Sequence, residues 1–245
     1  MRRAIAIAVL LAGSIYAPCQ STFIVQFDSV QSGHDASGRS IMETENGLIV
    51  FAWQHSDDGT GRMRGAVYKL APDGTFLSRY EIGTGELTGS YFGRWDPVTR
   101  MNTGGFASMF VRSNGYGYNI DMIRFDDNGD VLSFNDVMDS PPEDSIVVGS
   151  RQLRQTGDGG FVLCGAFSLP DGYAKALLVK LDSTGAVQWQ RTYDAAGQSY
   201  DAISVAQYVD GGYVLAGYRL PQGLNGLGFL IRTDSAGNEL WRRHF

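Results

Sequence analysis

Several stretches of this chain combine residue types that could do chemistry, and the first is a run of oxygen ligands. Asp126, Asn128 and Asp130 alternate along the sequence, as they do at the start of a calcium-binding loop. Such a loop also needs a glycine at its sixth position and a glutamate at its twelfth, where this chain has Val131 and Val137. We therefore predict an ordinary hairpin turn here, with a calcium site as the less favoured alternative.

A glycine-rich segment with two arginines has some features of a phosphate-binding loop. It covers residues 59–65 and reads Gly-Thr-Gly-Arg-Met-Arg-Gly. Its last glycine is one position late, and it joins two predicted antiparallel strands instead of opening a helix. The positive end of a helix dipole, which binds phosphate in such loops, is therefore missing, and we predict an exposed loop.

The side chains needed for a metal centre or a nucleophilic catalyst do not form a set. His34, His55 and His244 are far apart and show no metal-ligand spacing. No Gly-x-Ser-x-Gly motif occurs. Cys164 lies in an apolar run, where a small buried hydrophobic role is expected, and no histidine is near it in sequence. The sequence thus predicts no catalytic residue, no metal ligand and no cofactor site.

Acidic and aromatic side chains in predicted loops and at strand ends are the remaining candidates. A glycosidase needs two carboxyl groups about 5–10 Å apart across a cleft, and sequence alone cannot pair them. Aromatic rings could stack on sugars or anchor a protein, but we expect most of them to fill gaps between irregular repeat units. The acidic candidates are Glu43, Glu45, Asp57, Asp58, Glu81, Glu86, Asp96, Glu143 and Asp144, and the aromatic candidates are Trp53, Tyr91, Phe92, Trp95, Tyr116 and Tyr118.

An internal repeat must position any such site. Residues 160–165 (Gly-Phe-Val-Leu-Cys-Gly) return as residues 212–217 (Gly-Tyr-Val-Leu-Ala-Gly). The glycine that opens each copy has counterparts earlier in the chain, which gives four anchors: Gly47, Gly105, Gly160 and Gly212. Each anchor is followed after 24 to 27 residues by a second glycine, at Gly74, Gly129, Gly185 and Gly237. Two landmarks in phase through four units indicate a modular architecture.

The pattern within a unit predicts four short antiparallel strands. The segments 48–52, 106–111, 161–164 and 213–216 are apolar at consecutive positions, which indicates strands covered on both faces. A second strand, an Asp-rich glycine turn and a third strand follow, and a more polar strand precedes the anchor. Such a unit every fifty-odd residues describes a β-propeller blade. We predict four blades, at about 28–80, 81–137, 138–193 and 194–245, with Trp189 and Trp241 packed between them.

The repeat resembles a known class of proteins. The phrase Asp-Gly-Gly-aromatic-Val-Leu-x-Gly, followed by Leu-x-x-Asp-x-x-Gly-x-x-x-Trp, is similar to the repeats of secreted bacterial β-propeller proteins. The likeness is good over 151–245 and fainter over 38–150. Many of those proteins are surface proteins with a C-terminal sorting domain, which is not recognisable here. The resemblance implies the fold and export, with binding or scaffolding at the bacterial surface, but no uniform activity.

The chain contains one strand more than four complete units need. Residues 23–27 resemble the last strand of a unit, so that strand has five copies for four copies of the others. We therefore expect a propeller that is open, or one truncated at its C-terminus, and a fragment of a larger surface protein is one reading of this chain. An open arc would expose a sheet edge.

The first 19 residues predict export. Arg2 and Arg3 precede an apolar stretch, residues 4–12, that is too short to span a bilayer. We favour cleavage after Cys19 over cleavage after Ala17, and lipidation of Cys19 is a further alternative. We assign the remaining residues, 20–245, to the repeat domain. No stretch among them is apolar over a length that could span a membrane. With 20 basic and 26 acidic residues the net charge is −6, which disfavours nucleic acid and anionic membranes as partners.

These observations favour an exported, non-catalytic propeller. We expect it to bind a glycan or a cell-envelope protein at the bacterial surface or in the periplasm. The alternatives are a propeller enzyme that cleaves polysaccharide with loop carboxylates, and a fragment whose function lies elsewhere in a larger protein. Two or three carboxylates that converge at one mouth of the central channel, away from arginines, would favour the enzyme.

Overall fold

The computed structural model describes residues 36–55, 63–82, 90–92, 97–113, 118–138, 147–168, 173–221 and 226–245. All regular structure in those residues is β, arranged as seventeen strands in four antiparallel sheets. The predicted signal segment 1–19 and the predicted strand 23–27 lie outside the described residues. Within the described part of the chain, no helix has the length and apolar character needed to cross a membrane.

Each sheet is one blade. Blade 1 contains β1 to β4, at Ala36–Thr44, Gly47–His55, Met63–Leu70 and Phe76–Ile82. Blade 2 contains β5 to β9, at Ser90–Phe92, Val98–Arg100, Phe106–Ser113, Tyr118–Phe125 and Val131–Met138. Blade 3 contains β10 to β13, at Val147–Gln155, Phe161–Ser168, Ala174–Leu181 and Val187–Tyr193. Blade 4 contains β14 to β17, at Gln198–Gln207, Tyr213–Pro221, Leu227–Thr233 and Glu239–His244.

The strands of every blade are hydrogen-bonded in chain order, and blade 2 differs only in that its first strand is split into β5 and β6. The first strands of neighbouring blades contact one another, β6 with β10 and β10 with β14. The fourth strands β4, β9, β13 and β17 are mostly exposed. The first strands therefore lie nearest the axis and the fourth strands lie outside. The predicted all-β propeller of four-stranded blades is confirmed.

Tight turns join the first strand to the second and the third to the fourth, so these turns share one end of the blades, which we call the turn end. The second glycine of every unit has a positive φ, between 77° and 91°. At the opposite end of the blades, strand two ends and strand three begins, and the last strand of one blade ends before the first strand of the next. We call that the loop end.

Three apolar clusters hold the blades together face to face. Phe51 of blade 1 makes edge contacts with Phe106 and Phe125 of blade 2, at centroid distances of 6.2 and 5.1 Å. A second cluster joins blades 2 and 3, and a third joins blades 3 and 4. The central strand β11 is buried on both sides over 161–166, which confirms the prediction for this strand, whereas Leu48 and Val50 of the corresponding strand β2 are only half-buried. In β15 of blade 4, Val214 and Ala216 are only half-buried, so one face of this sheet is less covered.

The two predicted tryptophans differ in their surroundings. Trp189 of blade 3 packs against Tyr213 of blade 4 at a centroid distance of 5.7 Å, and a Cβ on Gly237 would lie 2.7 Å from its ring. It lies between blades, as predicted. Trp241 occupies the same place in blade 4 but is 40% exposed, with Arg243 over its ring. Its predicted packing between blades is therefore wrong for the described residues.

Candidate functional site: the inner-strand bulges

The innermost strand of every blade is interrupted at the same level. Relative to the neighbouring strand, β1 has one extra residue at Arg39, β10 has one at Arg151 and β14 has one at Ile203. In blade 2 the pairing with β7 passes from Phe92 to Val98 at the same level. Bulges on inner strands re-aim side chains and are frequent beside binding sites. We call these four positions the inner-strand bulges.

Two glycines on the second strands make room for the bulges. A Cβ on Gly165 would lie 1.9 Å from the carbonyl oxygen of Gly149, and a Cβ on Gly217 would lie 2.0 Å from that of Asp201. No side chain fits at such distances. These glycines close the repeated phrases 160–165 and 212–217, so the bulge explains why both phrases end in glycine. A glycine inside an apolar strand is a recognised bulge signal.

A charged cluster joins the bulges of blades 3 and 4. The guanidinium of Arg151 donates to both carboxylate oxygens of Asp201, through Nε at 3.1 Å and through Nη2 at 2.5 Å. The hydroxyl of Tyr218 donates to the same carboxylate at 3.0 Å. Burial lowers the pKa of Arg151, but the hydrogen bonds and charge of Asp201 outweigh it and the net pKa is raised. Arg151 and Asp201 are therefore held as an ion pair on the axial side.

The cluster combines buried charge with an accessible ring. The side chains of Arg151 and Asp201 are 14% and 8% exposed, whereas Tyr218 is 39% exposed. Three donor groups, Nε and Nη2 of Arg151 and the hydroxyl of Tyr218, hold the carboxylate of Asp201 in place. A rigid polar surface beside an aromatic face is suited to binding a ligand that has both hydroxyl groups and C–H faces.

The bulge of blade 1 also sets an arginine beside an aromatic ring. The guanidinium carbon of Arg39 lies 5.5 Å from the centre of the Trp53 ring, within cation–π range. Trp53 was one of the predicted aromatic candidates, and it is half-buried. Tyr91 and Phe92 lie on β5 and Tyr118 begins β8, and the side chains of these three residues are not described.

A second concave region lies at the turn end, between blades 1 and 2. It is an open cavity of about 850 Å³. Arg100 crosses it, donating a hydrogen bond to the carbonyl oxygen of Glu43 and approaching Asp127 at 3.5 Å. Arg100 and Asp127 are more than half exposed, at 52% and 62%. The inner-strand bulges offer the more rigid arrangement, because exposed ion pairs contribute little to binding or stability.

Two carboxylates from neighbouring strands meet on the outer part of blade 2. Arg112 donates to Asp121 at 2.9 and 3.0 Å and to Asp136 at 2.8 Å. Burial raises the pKa of Asp121; Arg112 opposes this rise and Asp136 adds to it. A raised pKa is a feature of catalytic acids, but this pair shares an arginine and lies on the third and fourth strands, away from the axis.

The remaining sequence candidates are not brought together in the described residues. Asp126 accepts hydrogen bonds from the backbone of Asn128 and Asp130 at 2.9 and 2.8 Å, so this segment is the predicted hairpin turn. His244 lies 3.1 Å from the Tyr200 hydroxyl, and its pKa is lowered by burial and by nearby arginines. Glu81 binds Gln54, Glu43 and Glu45 line the turn-end cavity, and Cys164 is fully buried. The candidates outside the described residues are His34, Asp57, Asp58, the loop 59–62, Glu86, Trp95, Asp96, Tyr116, Glu143 and Asp144.

Comparisons with known proteins add a fold but no family. No protein-family model matches the chain, and no curated protein matches it. Among solved structures, a protein of unknown function from Dyadobacter fermentans is similar at a TM-score of 0.61 and 12% identity, over 86% of this chain and 69% of that one. An endo-arabinase from Bacteroides thetaiotaomicron is similar at a TM-score of 0.50 and 12% identity, over 79% and 73%. A levansucrase from B. megaterium is similar at a TM-score of 0.47 and 9% identity, over 89% of this chain and 70% of that one.

Proposed function

We propose that this chain is a non-catalytic β-propeller that binds a glycan at the loop-end side of its inner-strand bulges. The cluster of Arg151, Asp201 and Tyr218 is the observation that carries the proposal. A fixed guanidinium and carboxylate can form paired hydrogen bonds with neighbouring sugar hydroxyls, and a half-exposed tyrosine can stack on the sugar face.

The fold comparison supports a carbohydrate ligand. The endo-arabinase that this chain resembles in fold is, by its name, an enzyme of a polysaccharide. At 12% identity the likeness concerns architecture, so the ligand class belongs to the proposal and the contacts above give it its location.

Binding is favoured over catalysis by the state of the carboxylates. A retaining or inverting glycosidase needs two carboxyl groups that face each other across the sugar, one of them free to act as nucleophile or base. In the described residues Asp201 is bound to Arg151, and Asp121 and Asp136 are bound to Arg112. These are the arginine partners that we expected a catalytic set to lack.

Export and action at a bacterial cell surface or in the periplasm are part of the same proposal. They are supported by the apolar stretch after Arg2 and Arg3 and by the resemblance of the repeat to secreted bacterial propellers.

A glycan array probed with the purified chain, followed by titration of each hit, tests the proposal. We expect binding without release of reducing sugar. Tyr218→Ala should weaken binding by roughly tenfold through loss of stacking area and of one hydrogen bond to Asp201. Tyr208→Ala is the matched control, because Tyr208 is 54% exposed in the same blade but lies at the turn end. An array without hits, or equal losses in both variants, would overturn the proposal.

A further inference from the structure

The sheet of blade 4 has one face against blade 3 and one face that points away from it. Tyr213, Leu215 and Phe229 belong to the apolar cluster that joins the two blades. Side chains alternate between the faces of a strand, so Tyr218 on β15 lies on the opposite face. Its register partner on β16 is Gly228, which shares that face. We call this the far face of blade 4.

A row of three residues crosses the far face at its loop end. Tyr218 is paired with Gly228, and the backbone N–H of Phe245 donates to the carbonyl oxygen of Gly228 at 3.0 Å. A Cβ on Gly228 would lie 3.7 Å from a ring carbon of Phe245, so this ring lies on the same face. Neighbouring strands are about 5 Å apart, which puts the two aromatic residues roughly 10 Å apart across the glycine. We call these three residues the aromatic row.

The corresponding row of blade 3 is built to pack against another blade. It consists of Ala166, Ala176 and Tyr193, which are paired in the same register. All three are buried, and the hydroxyl of Tyr193 donates to a carbonyl oxygen of blade 4. Two small residues and a buried tyrosine thus give a surface that a neighbouring sheet covers.

The aromatic row departs from this pattern at every position. The second strand has a tyrosine in place of alanine, the third has a glycine in place of alanine, and the last position has a phenylalanine without the hydroxyl. Tyr218 is 39% exposed and Phe245 is 71% exposed. Two accessible rings on either side of a glycine form a shallow trough instead of a blade junction. The substitutions therefore favour a ligand other than a further blade of this repeat.

The trough is suited to a flat, extended sugar chain. The C–H faces of pyranose rings stack on aromatic side chains. In a β-1,4-linked chain every second sugar presents the same face, and the length of this disaccharide repeat is close to the separation of Tyr218 and Phe245. Tyr218 also donates to Asp201 of the candidate site, so the aromatic row is continuous with the polar groups at the bulge.

We propose that the bound glycan is a linear β-1,4-linked polysaccharide, two sugars of which stack on Tyr218 and Phe245. This inference rests on the proposed glycan-binding function and adds the linkage and the minimum length of the ligand. The sugar between the two stacked ones lies over Gly228, where the absence of a side chain leaves room for it. Three consecutive sugars are therefore needed to reach both rings.

The first experiment measures how affinity depends on the length of the ligand. Isothermal titration of the purified chain with cellobiose, cellotriose and cellotetraose should show a gain of about tenfold between the disaccharide and the trisaccharide. Equal affinity for the three oligosaccharides, or binding of other polysaccharides alone, overturns this inference and leaves the proposed function standing. No binding to any glycan overturns both.

Phe245→Ala should remove the length dependence without disturbing the fold. Because the ring is 71% exposed, its loss should leave the melting temperature unchanged. Cellotriose affinity should fall about tenfold, to that of cellobiose, while cellobiose affinity stays the same. Phe76→Ala is the matched control, since Phe76 is 52% exposed on the fourth strand of blade 1 and should affect neither ligand. Full cellotriose affinity in the Phe245→Ala protein contradicts the inference.

Substitutions at Gly228 test the floor of the trough. The added Cβ makes an ordinary contact with Phe245 at 3.7 Å, so Gly228→Ala should fold and keep most of the binding. Gly228→Leu should fill the trough and weaken cellotriose binding at least tenfold. A folded Gly228→Leu protein that binds cellotriose like the parent refutes the placement of the ligand. A dimer that Phe245→Ala dissociates, with no dependence on sugar length, would instead assign the far face to a second copy of the chain and overturn the inference.

Discussion

The hydroxyl of Tyr193 in blade 3 donates a hydrogen bond of 2.7 Å to the carbonyl oxygen of Gly237 in blade 4. Related contacts occur at the earlier junctions, where Tyr80 donates to the carbonyl oxygen of Gly129 and Asn135 donates to that of Thr184 at 3.2 Å. Each of blades 1 to 3 is thus tied to the third-to-fourth-strand turn of the following blade. Because the backbone of that turn is held from outside, the glycine turns of the repeat serve the junctions as well as the blades.

Tyr193→Phe should reduce the free energy of unfolding by about 1 kcal/mol, because it removes one buried hydrogen bond and keeps the ring. Urea unfolding followed by tryptophan fluorescence measures the loss. Tyr208→Phe, at a tyrosine that is 54% exposed, should be neutral. Equal stability of the Tyr193→Phe protein and the parent would show that the junction hydrogen bond contributes nothing.

The tryptophans of blades 3 and 4 should respond differently to truncation. Trp189→Ala leaves a cavity at a packed junction and should cost about 3 kcal/mol. Trp241→Ala removes a ring that is 40% exposed and should cost less than about 1 kcal/mol. Thermal melts of the two variants give the comparison directly. A large loss for Trp241→Ala would indicate that this ring is covered in solution.

Alanine at the bulge glycines should damage folding. Gly165→Ala and Gly217→Ala each place a methyl group about 2 Å from a carbonyl oxygen of the inner strand, so the bulge must open and we expect a loss of about 3 kcal/mol or more. Gly38→Ala is the control, because its nearest neighbour is a Val50 methyl at 3.9 Å. Chemical denaturation of the three proteins tests this order, and equal stability would mean that the inner strands are regular.

Stability should fall in acid because the turn aspartates have lowered pKa values. Burial raises the pKa of Asp158, but hydrogen bonds from Thr156 and Lys180 outweigh it and bring it to about 2. The pKa of the unfolded group is about 3.9, so its contribution is complete above about pH 4 and is lost as pH falls towards 2. The pKa values of four other turn aspartates are also lowered: Asp73, Asp182, Asp210 and Asp234.

Urea midpoints measured from about pH 6 down to about pH 2.5 should show this decline, and Asp158→Asn should make it shallower. The variant loses the ion pair with Lys180, which is 2.9 Å long, so its stability near pH 6 should also be lower than that of the parent. A midpoint that does not change with pH would refute the role of the turn carboxylates.

Cys164 should be unreactive until the protein unfolds. Its side chain is fully buried, and burial raises the pKa of the thiol, so the reactive thiolate is scarce. Iodoacetamide treatment followed by mass spectrometry of the peptide that contains Cys164 should show little labelling in buffer and complete labelling in concentrated urea. Equal rates in both conditions would place this strand at the surface.

The blades could be predicted because their signals are local. A glycine turn and a run of consecutive apolar residues mark each second strand, and neither requires knowledge of distant contacts. The inner-strand bulges could not be found in this way, because an extra residue is defined only by its pairing with another strand. Gly165 and Gly217 were the available sign, since a glycine within an apolar strand indicates a close approach of backbone.

The candidate site depends on contacts between units. Arg151 and Asp201 are 50 residues apart, about one repeat, and no motif links them in sequence. The sequence contains a further regularity, because a cation stands five residues before the second glycine of every unit, at Lys69, Arg124, Lys180 and Arg232. Trp189 and Trp241 show that similar local sequences do not determine burial. Trp189 packs against Tyr213, whereas Trp241 is 40% exposed, because the two rings have different neighbours.

Because the inner-strand bulges lie at the same level in every blade, residues can change there without a change in the packing of the four sheets. Three blades place a single additional residue there, while five residues separate Phe92 from Val98 in the second blade, yet its sheet keeps the same strand order and the same stacking partners. Chain length can therefore change at this level without repacking the sheets. Insertions or substitutions at the inner-strand bulges could therefore change what the propeller binds while the sheets themselves stay the same.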